Sequence, residues 1–359
     1  MSTTTPHNLD SIFKTCIENQ ASDIHLSFNL PVSFRIFGRL RHFGDTPLTD
    51  EEITEFARQL TNKIQWKELE EKWDTEFAHS LPSGERFRIS VFKQRGHHSI
   101  VMRRIPSRIM TLEEIGFPPI IKSLLNRNHG LILVTGPTGS GKTTSLASMI
   151  DFINQNDDRH IITVEDPIEY VHEHKRSIIN QREMDVDTNS FSKAVIDALR
   201  QDPDVILVGE MRDLATIEAV LTATETGHLV FATLHTFGAV RTIDRIIDVF
   251  PAHQQNQIRL QLSLNLAAVI SQQLIPRKDK EGRIAALEIM VINSAIQNLI
   301  RKGQTYNIPN EIQMGAQHGM VSLQNQLAEY VRKGIISKDD ALFYAIDVED
   351  IARRLGPSS

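Results

Sequence analysis

The octapeptide Gly136-Pro137-Thr138-Gly139-Ser140-Gly141-Lys142-Thr143 constrains this chain more than any other segment. It fits the pattern G-x-x-x-x-G-K-[ST], whose glycines let backbone N–H groups come close to phosphate oxygens. The apolar run Leu131-Ile-Leu-Val134 precedes it, and Thr144 to Ile153 can continue as a helix. The loop therefore lies between a buried strand and a helix N-terminus, where partial positive charge favours anions. Such a loop is read as the cradle for the phosphates of ATP, with Thr144 completing its lining. Lys142 would reach the outer phosphates and Thr143 would hold Mg²⁺. The plain alternative is a Gly-rich turn that binds nothing, and the strand–loop–helix context argues against it.

The same run has counterparts downstream. Ile161-Ile-Thr-Val164, Val205-Ile-Leu-Val208 and Leu229-Val-Phe-Ala232 are near-continuous apolar stretches separated by segments of helical pattern. Strands covered by helices on both faces have this character. The spacing predicts βαβ units and a doubly wound α/β core. From about residue 276 the chain reads as mostly helical. The first hundred residues read as a small α+β domain. A helix is expected over Ile12–Asn19, a strand over Ser33–Phe37 and a helix start at Thr49, with Glu52 in the reciprocal capping position. Arg86 to Phe92 alternates at period two, as a half-buried strand does. Ile105-Pro106 and Gly116-Phe-Pro-Pro119 punctuate the stretch between this domain and the phosphate loop. The expected division is 1–105, a linker at 106–119, an ATPase core at 120–275 and a helical region at 276–359.

In open α/β sheets, ligands bind outside the carboxyl ends of the strands. Two predicted strands end in acids there. One runs into Glu165-Asp166-Pro167, the other into Gly209-Glu210. Glu165 is a candidate general base that orients the attacking water. Glu210, in a Walker-B-like position, is a candidate for ordering either the Mg²⁺ shell or that water. The plain alternative for each is a solvated strand-end carboxylate. Histidines bracket the strand after Gly227. Seven residues of extended chain span about 23 Å, so His228 and His235 cannot meet on one metal ion through that strand alone. His235 falls at the carboxyl end and is a candidate sensor of the γ-phosphate, whereas His228 is read as a structural hydrogen-bonder.

Composition excludes several classes. A single cysteine, Cys16, rules out a disulfide framework or a cysteine-rich zinc site and suits a reducing compartment. The net charge of −6 argues against a dedicated nucleic-acid binder. No apolar run is long enough for a transmembrane span, and Met1-Ser-Thr-Thr-Thr-Pro6 does not read as a signal peptide.

Four motifs carry a family resemblance. They are Ala21-Ser-Asp-Ile-His-Leu26, Thr163-Val-Glu-Asp-Pro-Ile-Glu169, Asp202-Pro-Asp-Val-Ile-Leu-Val-Gly-Glu-Met-Arg-Asp213 and Gly227 to His235. In that order they resemble the signature boxes of the type II/type IV secretion-superfamily ATPases, and within them the retraction motors of twitching motility. The likeness covers nearly the whole chain. It implies a RecA-like P-loop core with an N-terminal PAS-like domain and a helical C-terminal region, assembled as a homo-hexamer with ATP between the domains. It implies N-terminal arginines approaching the nucleotide, for which Arg86, Arg88, Arg95 and Arg103 are candidates. Arg86 and Arg88 share a strand face, and a solvated basic face is the plain alternative. Arg241 and Arg245 are implied to lie near a subunit boundary. The implied partners are an inner-membrane pilus platform protein and a second retraction ATPase. The implied location is cytoplasmic, peripheral to the bacterial inner membrane.

Ala295-Ile-Gln-Asn-Leu-Ile-Arg-Lys302 is similar to the retraction-type pattern Ala-Ile-Arg-Asn-Leu-Ile-Arg-Glu and departs from it at Gln297 and Lys302. Ile296, Leu299 and Ile300 share one helical face, as core stripes do. Assembly-type relatives are longer and carry a cysteine zinc motif that this chain lacks. Other functions consistent with these residues are an ATPase of a related secretion or conjugation machine and a low-turnover accessory motor subunit. A helicase is a further reading.

Overall fold

The computed structural model of the chain describes residues 8–36, 38–105 and 108–356. Met1 to Pro6, Phe37 and Pro106, which figure in the sequence-based expectations, lie outside them. The chain divides into two compact units, one of residues 1–108 with 167–171 and the other of 109–166 with 172–359.

The first unit holds α1 (Leu9–Glu18), α2 (Asp50–Leu60) and α3 (Lys63–Lys72). Its strands are β1 (Asp23–Ser27), β2 (Ser33–Ile36), β3 (Arg39–His42), β4 (Asp74–Ser80), β5 (Arg86–Gln94) and β6 (His97–Ile105). They form one antiparallel sheet in the order β3-β2-β1-β6-β5-β4. The α2 start is the reciprocal cap read from the sequence: Thr49 Oγ1 accepts the Glu52 N–H and Glu52 Oε2 accepts the Thr49 N–H. Period two in β5 sends Phe87, Ile89 and Val91 into the core, each fully buried, and leaves Arg86 and Arg88 together on the other face. Leu9, Ile12, Phe13 and Cys16 of α1 join that core. Burial pushes the Cys16 thiol up to about 11, so this cysteine is packing material and not a nucleophile.

On the arginine-bearing face, register aligns Arg35, Asp23, Arg103 and Arg88 across β2, β1, β6 and β5. Asp23 accepts from Arg103 Nε at 2.9 Å and from Ser22 Oγ at 2.7 Å, with Arg35 Nε at 3.5 Å. Burial alone would raise the Asp23 carboxyl; the Ser22 and Arg103 hydrogen bonds and the two guanidinium charges outweigh it and hold it below the usual range. Asp23→Asn is therefore expected to destabilise the protein by about 1–3 kcal/mol at pH 7, read by urea unfolding. A depressed folded pKa contributes stability above the unfolded value of about 4, and that contribution disappears as pH falls through the lower folded value. The gap between wild type and variant should close in acid.

The second unit begins with α4 (Leu112–Ile115) and α5 (Ile120–Leu125), then alternates β7 (Gly130–Thr135), α6 (Lys142–Asn156) and β8 (His160–Glu165). β9 (Ile178–Glu183), α7 (Phe191–Ala198), β10 (Val205–Val208), α8 (Leu214–Glu225) and β11 (Leu229–Leu234) come next. They lead into α9 (Gly238–Asp248), α10 (Gln255–Asn265), β12 (Leu266–Pro276) and β13 (Arg283–Val291). The chain closes with α11 (Ser294–Arg301), α12 (Ile308–Met314), α13 (Leu323–Arg332), α14 (Lys338–Tyr344) and α15 (Val348–Leu355). The sheet order is β13-β12-β7-β11-β10-β8-β9, parallel throughout except for β13.

β7 explains the doubly wound arrangement. Leu131 and Leu133 pack into one core with α7 to α11; Ile132 and Val134 pack into another with α5 and α6. Both faces are covered, so Leu131 to Val134 are apolar on both sides of the strand. β13 stands within the stretch expected to be mostly helical. Ala285, Ala286, Leu287, Glu288 and Met290 are good helix formers, and the ladder with β12 overrides that local preference. Among the described residues no helix is long and apolar enough to cross a membrane.

Candidate active site

The parallel register brings the carboxyl ends of β7, β11, β10 and β8 to one edge of the sheet, in that spatial order. The segment after β7 is the Gly136–Thr143 loop. His235 comes directly after β11, Glu210 lies two residues past β10, and Glu165 ends β8. Neighbouring strands are about 4.8 Å apart, so His235 is nearest the loop, then Glu210, then Glu165.

Lys142 opens α6 and donates from Nζ to Gly136 O at 2.8 Å and Pro137 O at 3.1 Å. His235 Nδ1 lies 3.4 Å from the same Nζ. Because an ammonium can only donate, the ring accepts at Nδ1 and carries its hydrogen on Nε2, which faces Glu210 Oε1 at 3.3 Å. Glu210 Oε2 meets Arg212 Nη2 at 2.9 Å. Burial pushes the Glu210 carboxyl up, but Arg212 first and His235 second more than offset this, and the group lies below its ordinary value. Lys142, His235, Glu210 and Arg212 thus form one continuous chain of contacts.

Glu165 is held separately. Thr163 Oγ1 donates to its Oε1 at 2.6 Å and Gln181 Nε2 to the same atom at 3.1 Å. Those two donors fix the carboxylate's orientation at the strand end. The residue before α6 is Gly141, whose φ of 89° lies in the left-handed region, and no side chain caps the helix. A helix N-terminus of this kind favours an anion. Thr143 is half-buried in the first turn, and Thr144 is the next residue of that turn.

Pro137 is half-buried, Thr138 and Gly139 are exposed, and Ser140 is buried beneath the loop. His228 is far from this edge: its Nδ1 donates to Ala223 O at 2.9 Å, the structural bond its position suggested.

The four N-terminal arginines do not form one group. Arg88 and Arg103 are directly opposed across β5 and β6, and Arg86 shares the Arg88 face. Arg88 contacts Glu76 and lies 3.7 Å from Glu169, while Arg103 pairs with Asp23. Arg95 forms the hairpin turn with Gly96, both at positive φ (51° and 86°). It sits seven residues beyond Arg88, about 23 Å along the strand. That spacing separates Arg95 from the other three.

Arg212, Thr163 and Gln181 do not stand out as site residues in the sequence. Arg212 and Thr163 lie inside the motif segments already quoted, and their chemistry was the available signal. Gln181 is on β9, whose Ile-Ile-Asn-Gln-Arg-Glu composition gave no strand signal.

Comparison with known proteins adds the family. The family model described as type II/IV secretion system protein matches residues 3–343. The chain belongs to that family. It is 48% identical over 321 residues to the type IV pilus retraction ATPase PilT of Pseudomonas aeruginosa, covering 89% of this chain and 93% of that one. It is 43% identical over 336 residues to a twitching motility protein of Neisseria gonorrhoeae, covering 93% and 90%. Its fold matches a crystal structure of the pilus retraction motor PilT with bound ADP at a TM-score of 0.90 and 43% identity, over 96% of this chain and 98% of that one. For a member of the type II/IV secretion family, the strand-edge constellation is the place where nucleotide chemistry is expected.

Proposed function

We propose that this chain hydrolyses ATP and, as a homo-hexameric ring, powers type IV pilus retraction from the cytoplasmic face of the bacterial inner membrane. The inner-membrane pilus platform protein and a second retraction ATPase are its proposed partners. The observation that carries the reading is the contact chain Lys142–His235–Glu210–Arg212 beside an uncapped helix N-terminus. The retraction and twitching relatives support the cellular role.

In this reading residues 136–144 cradle the phosphates and Lys142 turns from the loop carbonyls to the outer phosphate oxygens. Glu165, oriented by Thr163 and Gln181, orients and deprotonates water. His235 sits between Lys142 and Glu210, where a change at the phosphate would reach both. Among the described residues no cluster of three or more His, Cys, Asp or Glu side chains could hold a metal ion. That suits Mg²⁺, which is usually bound through few protein ligands together with substrate phosphates. Thr143 and Glu210 would serve it, and when bound it supplies positive charge against the phosphates.

The first unit is read as PAS-like and the core of the second as RecA-like, with 106–119 as linker and 276–359 as a region that adds β13 to the core sheet and is otherwise helical. Arg86, Arg88, Arg95 and Arg103 are the candidates for approaching the nucleotide, with Arg95 apart from the other three.

In α11, Ile296 and Ile300 are fully buried and Leu299 packs against the same core, while Asn298 and Arg301 are exposed. Replacing Asn298 and Arg301 by Ala should leave ATPase activity near normal in vitro and abolish surface motility with pili retained. Deletion of the gene should give hyperpiliated, non-motile cells under the electron microscope. Bald cells would make the protein a builder of pili; unchanged piliation and motility would favour a secretion or conjugation machine.

A further inference from the structure

α9 has no side-chain cap from Phe237, the residue before it. Its first N–H groups are instead taken by distant residues. Gly238 N donates to Ser271 Oγ at 2.9 Å, and Ala239 N donates to Glu288 Oε1 at 2.8 Å. Ser271 and Glu288 face each other across β12 and β13. A carboxylate there is favoured by the helix dipole. Burial pushes the Glu288 carboxyl up, and the Ala239 N–H draws it partly back. α9 begins three residues after His235, so this cap fixes the far end of the histidine-bearing turn.

The next residue on the strand points to the opposite face. Gln272 is 2% exposed. Its Nε2 donates to Ser140 O at 2.8 Å, and its Oε1 accepts from Ser145 Oγ at 2.6 Å. It therefore holds both the phosphate loop and the first turns of α6. The strand also dictates one of the loop's glycines and crowds a second. A Cβ at position 136 would lie 2.2 Å from Gln272 O, and one at position 141 would lie 2.8 Å from Gln272 Nε2. Phosphate approach is thus only part of the reason that these positions are glycine.

We infer that β12 is the positioning strand of the site, with Gln272 setting the phosphate loop and Ser271 together with Glu288 setting the turn that carries His235. This rests on the reading of residues 136–143 as an ATP loop and deepens it. Gln272 acts through Ser140 and Ser145, and Glu288 acts through Ala239, so all are positioning residues. Because the two devices sit on opposite faces of the β12–β13 pair, their losses should separate: one in nucleotide affinity, the other in turnover.

The test uses the full chain, with Mg-ADP affinity and steady-state phosphate release measured on each variant and folding checked by thermal unfolding. Gln272→Met keeps the volume and leaves the Ser140 carbonyl without its donor. It should weaken ADP binding about tenfold or more. Glu288→Ala should lower kcat about tenfold or more with ADP affinity within about twofold of wild type, and Glu288→Gln should restore turnover because the amide oxygen still accepts the Ala239 N–H. If Gln272→Met does not fold, Ser145→Ala takes its place and should weaken ADP binding about threefold or more. ADP affinity unchanged in the folded Gln272 or Ser145 variant overturns the inference. So does a Glu288→Ala enzyme with normal kcat, or one that loses affinity and turnover together. A wild-type protein that binds no ADP overturns the underlying ATP reading instead, a result distinct from all of these.

Discussion

Lys142→Ala should abolish detectable ATP hydrolysis while both units stay folded. In the structure the Lys142 ammonium is held by Gly136 O and Pro137 O and lies 3.4 Å from His235 Nδ1. Truncation removes its bonds to carbonyls of a half-exposed loop, where a charged donor contributes about 1.5–3 kcal/mol per bond before solvent exposure reduces it. The fold survives such a loss. Chemistry does not, because charge develops on the phosphate oxygens as the bond breaks, and the lysine is the loop's only fixed cation. Removing one preorganised donor of this kind costs about 10²–10³ in kcat. The variant also leaves His235 Nδ1 without its donor, so the defect should extend to the Glu210 side. A phosphate-release assay on protein with a wild-type melting curve is the measurement, and normal turnover would remove the phosphate-loop assignment.

The second large effect distinguishes the two acids. Glu165→Gln should bind ATP yet lose about 10²–10⁴ in hydrolysis, the range for removal of a general base. The local structure tolerates the change: the amide oxygen can accept from Thr163 and Gln181 as Oε1 now does. Glu210→Gln should behave differently. Both Glu210 oxygens accept, one from His235 and the other from Arg212. An amide NH₂ can accept from neither, so one contact is lost and the Lys142–His235–Glu210–Arg212 chain is broken at the His235 or the Arg212 side. Its hydrolysis defect should respond to added Mg²⁺, whereas the Glu165→Gln defect should not. Superimposable Mg²⁺ titrations of the two variants would leave no basis for separate roles. Nucleotide binding lost in Glu165→Gln, with normal turnover per bound ATP, would make that residue structural.

Local sequence and tertiary contacts contribute unequally to these residues' roles. β7, β8, β10 and β11 were legible as apolar runs because helices cover both faces of the sheet and leave no polar side to alternate with. The Thr49 and Glu52 cap was legible because it closes within four residues. β9, β12 and β13 were not. Ile178 of β9 is 59% exposed at the sheet edge, where burial no longer marks a strand. β13 is made of residues that favour a helix in isolation, and only its pairing with β12 makes it extended.

The amino-acid sequence by itself determined the phosphate loop, the strand-end acids and the order of the core strands along the chain, since each is written in contiguous residues. Tertiary structure alone decided which strand ends are neighbours, and hence that His235 stands between Lys142 and Glu210. It separated Arg95 from Arg86, Arg88 and Arg103 through hairpin register. It also placed Ser271 and Gln272 against α9 and the phosphate loop, 33 residues from Gly238 and 132 from Ser140. The reason is physical: a cap or a clamp drawn from another strand satisfies the same N–H or carbonyl as a local one, but its partner is chosen by sheet order, which no short segment encodes.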